Sequence, residues 1–132
     1  MSGITDLKKL LGSMSPELLA DEYVFCTVPN GKYGDFSELS PLSVFFENEG
    51  MTLVVQRENA ELSGLEYQGL FRCITLTVHS SLEAVGLTAA VSTKLSKHNI
   101  SANIIAAYYH DHVFVPAILA EKALLVLLEF SE

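Results

Sequence analysis

Apolar residues recur along this chain with two different periods, and the change of period marks its elements. Ile4, Leu7, Leu10 and Leu11 stand at helical spacing, which predicts a short amphipathic helix from Ile4 to Met14. Ser15-Pro16 stops it, because the residue before a proline is steered away from helical dihedrals. Tyr23 to Val28 (YVFCTV) is rich in β-branched and aromatic residues and reads as a strand. PNGKYGDF follows as a loop. LSVFFENEGMTLVVQREN then reads as a hairpin, with arms Leu42–Glu47 and Met51–Gln56 and a turn at Asn48-Glu49-Gly50.

The second half has a firmer rhythm. Leu70 to His79 is a strand with Leu70, Ile74, Leu76 and Val78 on one face. Ser80-Ser81-Leu82-Glu83 opens a helix in which Ser80 caps the amide of Glu83 and Glu83 reaches back. That helix runs to His98 on a stripe of Leu87, Val91 and Leu95, with Val85 and Ala89 beside it. Lys94, Lys97 and His98 suit the negative end of its dipole, and Asn99 is the left-handed stop. Strands follow at Ser101–Tyr108 and Asp111–Val115. Pro116 opens a last helix with Ala120, Ala123, Leu124 and Leu127 inward. Leu125 and Leu128 form a second apolar stripe beyond the core face.

Strand, helix, strand, strand, helix is a ferredoxin-like order that lacks only its final strand. After Phe130 only Ser131 and Glu132 remain, so the last strand is missing, very short or borrowed from elsewhere in the chain. The expected fold is α+β: two similar small modules, residues 1–66 and 67–132, sharing an extended antiparallel sheet and divided near Ser63 to Gly69.

Composition narrows the function. Of 132 residues 49% are hydrophobic, enough for a real core. No apolar stretch reaches the ~18 residues of a spanning helix, and the N-terminus lacks the basic start and apolar core of a signal peptide. A cytoplasmic location is the default, with no membrane partner. Sixteen acidic and eight basic residues give a net charge of −8, which repels a phosphate backbone and argues against nucleic acid. The closest basic groups are Lys8-Lys9 and Lys94, Lys97, His98. Cys26 and Cys73 stand singly in apolar runs and read as buried reduced thiols.

SSLEAVGLTAAVSTKLSKHNISAN (Ser80–Asn103) and YHDHVFVP (Tyr109–Pro116) resemble ACT-domain regulatory modules such as those of aspartate kinases. YVFCTVP, FFENEGMTLVV and TLTVHSSLEAVGLTA extend the resemblance to stand-alone bacterial proteins with two tandem ACT-like modules. The resemblance implies βαββαβ modules that pair side by side, bind a small ligand, usually an amino acid, near the first strand-to-helix loop, and carry no catalysis or cofactor. Here that loop is His79-Ser80-Ser81-Leu82, with Val85 and Gly86 beyond it.

A helix N-terminus also suits a carboxylate on physical grounds, since its first amides have no intrahelical partner. Gly86, placed one turn inside the helix, would leave room for a ligand or allow close packing. Asn103 on the next strand would bind an α-amino or carboxylate group, or else only backbone and water. His110 and His112 share one strand face, but metal binding needs a third ligand, and none is evident. A Ser-His-Asp triad is excluded because Asp111 points away from both neighbours. Asp111 is read instead as closing the turn between two strands. Acyl-phosphate chemistry lacks an arginine in the 79–83 loop. Two readings remain: an amino-acid-binding regulatory module, expected as a homodimer, or a structural or protein-interaction module without a small ligand.

Overall fold

The computed structural model describes residues 7–77 and 86–132. They form α1 (Leu7–Ser13), β1 (Pro16–Val28), β2 (Ser43–Glu47), β3 (Gly50–Gln56), α2 (Arg57–Leu62), β4 (Gln68–Leu76), α3 (Leu87–Lys97), β5 (Asn103–Ala106), β6 (Asp111–Pro116) and α4 (Ala120–Leu128). Short 3-10 turns at Ser37–Leu39, Ala117–Leu119 and Glu129–Ser131 complete the list. The strands make one sheet in the order β2-β3-β1-β4-β6-β5. The fold is α+β, with tandem ferredoxin-like units sharing an antiparallel sheet.

The described residues divide into two compact units. One is drawn from Met1–Ala20 and Arg72–Glu132, the other is Asp21–Phe71. The long strands β1 and β4 each change unit part-way along their length. The ferredoxin-like order β4-α3-β5-β6-α4 therefore obtains its missing strand from the first half of β1, as a loan from the other end of the sequence. This strand is far longer than the Tyr23–Val28 segment expected. Glu17, Asp21 and Glu22 interrupt its apolar pattern, yet Leu18 packs on the core of the first-named unit. The Arg72 guanidinium donates to the carbonyl of Leu19 at 2.7 and 3.2 Å, which holds that half of β1 beside β4.

In the Asp21–Phe71 unit, β3 pairs antiparallel with both β1 and β2, placing Cys26 opposite Leu53 and Glu47 opposite Gly50. Its core is Val24, Cys26, Met51, Leu53, Val55 and Ala60, capped by Leu39. The expected loop after β1 holds only the 3-10 turn at Ser37–Leu39 where the other unit has α3.

The other unit buries Leu10 and Met14 of the N-terminal segment against Ile74, Leu76, Leu87, Val91, Leu95, Val113, Val115, Ala123 and Leu127. The predicted stripes of α3 and α4 are thus the buried ones. The left-handed stop is present too, with Asn99 at φ 59°.

Four local expectations need correction. Helix α3 begins at Leu87, because Gly86 takes a left-handed conformation (φ 95°, ψ −10°) and sets the N-cap; the expected opening at Ser80–Glu83 lies outside the described residues. Gly86 is therefore outside the helix rather than one turn inside it. Ala89, expected beside the core stripe, is exposed. Finally, β5 is shorter than expected: Ala107 donates to the carbonyl of His110, closing a turn over Ala107–His110, and Tyr108 and Tyr109 are exposed in it.

Candidate functional site

The expected ligand loop is reached from β4, whose last core residues are Ile74 and Leu76. His79, Ser80, Ser81, Leu82 and Val85 lie outside the described residues, as does the capping pair Ser80 and Glu83. Gly86 is described, and its role is conformational. An L-residue in the left-handed region is strained, and a Cβ built there would approach Leu7 Cδ2 to 3.1 Å. The start of α3 carries neither a side-chain cap from Gly86 nor an acidic residue in its first turn. Its first amides are left to other partners.

Asn103 opens β5, the sheet's edge strand, opposite Phe114 of β6. Strand β6 lies between it and β4. Thr75 near the end of β4 bonds His112, which pairs with Ile105, so Asn103 sits two positions back from that rung. It is exposed and is not among the residues lining the cleft beside Gly86.

The His-Asp-His segment is split by the turn. His110 lies in the turn, whereas Asp111 and His112 begin β6, so the two histidines are not alternate residues of one strand. Asp111 pairs with Ala106 just past the turn rather than closing it. Thr75 Oγ1 and His112 Nδ1 share a hydrogen bond of 3.0 Å. Burial lowers the pKa of His112 and raises that of Asp111. Among the described residues no group of three His, Cys, Asp or Glu side chains is arranged to hold a metal ion. Both cysteines are buried and free, and burial pushes the Cys73 thiol up to about 11.

Two open clefts were not foreseen from the sequence. One, of about 910 Å³ in the Asp21–Phe71 unit, is lined by Phe25, Thr27, Thr52, Tyr67 and the carboxylates of Glu47 and Glu66. The other, of about 540 Å³, runs along α3 from Gly86 to His98. The second had a readable signal: Gly86, Ala89, Ala90, Thr93, Lys94 and Lys97 recur at helical spacing.

Family models for the ACT domain match residues 2–72 and 71–129. The chain belongs to the ACT-domain family. ACT domains are non-catalytic regulatory modules, and membership implies regulatory binding of small molecules such as amino acids. The chain is similar, at 57% identity over 99% of its length and 100% of the other, to a Vibrio cholerae protein of unknown function described as a possible transport protein (TM-score 0.88). An Agrobacterium tumefaciens protein shares the fold at 14% identity, with 89% of each chain covered and a TM-score of 0.74. So does the ligand-free regulatory subunit of aspartate kinase from Thermus thermophilus, at 14% identity, covering 91% of this chain and 99% of that one (TM-score 0.60). No curated protein sequence matches. Among the described residues no helix is long and apolar enough to cross a membrane.

Proposed function

We propose that this chain is a cytoplasmic regulatory module that binds an amino acid at the strand-to-helix junction of its second ACT match, His79–Leu82 with Val85 and Gly86. The observation that carries this reading is the start of α3, an eleven-residue helix with no side-chain cap and no acidic residue in its first turn. Amides that have no partner within the helix and the positive end of the dipole favour a carboxylate there without any basic side chain. The test is thermal unfolding with each of the twenty amino acids. A ligand at about 100 times its dissociation constant stabilises the native state by ~2.7 kcal/mol, a rise of several degrees for a domain of this size. Replacing Ser81 with Ala should change the shift little, because main-chain amides do the binding. A melting temperature unmoved by all twenty sinks the sensor reading.

The interaction-module reading has support of its own in exposed apolar surface. On β2, an edge strand, Val44, Phe45 and Phe46 are exposed, and on α4 so are Leu125 and Leu128. Surfaces of this kind mark association sites. We propose a homodimer. Light scattering should give twice the 14.4 kDa chain mass at micromolar concentration, and Leu125→Glu and Phe45→Lys test the two surfaces separately. A monomer mass throughout overturns the proposal.

A further inference from the structure

The cleft along α3 has two chemically different ends. At one, Gly86, Ala89 and Ala90 expose little more than backbone and methyl groups, and Leu7 stands beside Gly86. At the other are Lys94, Lys97 and His98. The chain has sixteen acidic residues and only eight lysines and arginines, yet two of those eight line this cleft and, among the described residues, no carboxylate does. Such a local reversal of sign concentrates anions.

The helix dipole explains why cations stand in the last turn of α3. It does not explain the apolar trough that leads to them. Lys94 already has partners: its ammonium meets Glu129 at 3.0 Å and lies 5.1 Å from the centre of the Phe130 ring. This contact draws Phe130 to the basic end of the cleft. Lys97 is exposed and has no carboxylate partner among the described residues. Its charge is available to a ligand. A volume of about 540 Å³ is within the range of small-molecule sites.

We propose that this cleft binds a small amphipathic carboxylate, its anionic head at Lys97 and its apolar body over Ala89, Ala90, Leu7 and Phe130. The head group sits at the opposite end of α3 from the amino-acid site proposed above, about 16 Å away at 1.5 Å per residue. The two sites share Gly86, and each can fail without the other.

The experiment is a titration of isotope-labelled protein with acetate, butyrate, hexanoate and octanoate, followed by amide NMR shifts. Affinity should rise about two- to fourfold for each methylene added, as expected for burial of apolar surface. The shifts should concentrate at Ala89, Ala90, Thr93 and Lys97. Lys97→Gln removes an exposed charge without touching the core, and should weaken octanoate at least fivefold, on the order of one charge-assisted contact. Ala89→Trp places a ring in the trough at an exposed position and should abolish the dependence on chain length. Neither variant should alter an amino-acid-induced thermal shift. Equal affinity along the series, shifts confined to other residues, or octanoate binding unchanged in Lys97→Gln would each overturn the proposal.

Discussion

Replacing Gly86 with Ala tests the local geometry that defines where α3 begins. The backbone there sits at φ 95° and ψ −10°. An L-residue in the left-handed region costs about 1–2 kcal/mol. Part of that is offset, because alanine lowers the entropy of the unfolded chain by roughly 0.4–1 kcal/mol. The new Cβ would also lie 3.1 Å from Leu7 Cδ2, tighter than an ordinary contact. Leu7 is only half-buried and can move slightly, so the packing contribution is the smaller one. The net loss should be about 0.5–1.5 kcal/mol. For a chain of this size it lowers the melting temperature by roughly 2–7 °C. Urea denaturation followed by circular dichroism measures the loss directly, and an unchanged slope shows that the surface exposed on unfolding is the same in both proteins. Gly12→Ala supplies the control. Gly12 lies within α1, and nothing stands within 4 Å of its added Cβ. The same change there should stabilise by up to about 1 kcal/mol. If Gly86→Ala is as stable as the parent, Gly86 is not held left-handed and the argument for its identity collapses.

Three further outcomes follow from the same structure. Burial, then the charge of His110, holds the His112 pKa below its ordinary 6.5, with Asp111 pulling the other way. The unfolded chain therefore binds more protons between the lowered value and 6.5, so this contribution to stability is present above 6.5 and is lost as pH falls through that window. His112→Asn should flatten that slope in urea titrations recorded between pH 5 and 7, and an unchanged slope would assign it elsewhere. Cys26 and Cys73 are buried with raised thiol pKa values, so a thiol reagent at pH 8 should react slowly with the native chain and with both cysteines after denaturation; rapid labelling of the native chain would contradict their burial. Val91→Ala removes two methyl groups from a fully buried site and should cost about 2 kcal/mol by urea denaturation, whereas a loss under 0.5 kcal/mol would mean that α3 does not pack as described.

Periodicity made the buried stripes of α3 and α4 readable, because Leu87, Val91 and Leu95, and Ala120, Ala123 and Leu127, each repeat within one unbroken element. The hairpin of β2 and β3 was readable for a related reason: its turn follows directly from adjacent residues. The first half of β1 was not. Its pattern is blurred by Glu17, Asp21 and Glu22, and what makes it a strand is its place beside β4, more than fifty positions away, where Arg72 donates to the carbonyl of Leu19. Gly86 was misplaced because a helical pattern tolerates one glycine, and only the dihedral angles reveal that it stands outside. The α3 cleft escaped notice because its signal is a helix face carrying small residues, which looks like unremarkable surface until Leu7 and Phe130 are brought beside it by the fold.

The loan of β1 also sets a schedule for synthesis. Leu10 and Met14 leave the ribosome more than a hundred residues ahead of Ala123 and Leu127, with which they share a core. At roughly 5–20 residues per second the gap is on the order of ten seconds. During that interval the N-terminal segment carries apolar side chains whose partners do not yet exist. Asp21–Phe71 has no such wait, since its core residues all lie within its own span. The nascent chain should therefore gain protease resistance first over Asp21–Phe71 and only afterwards in the segments on either side of it.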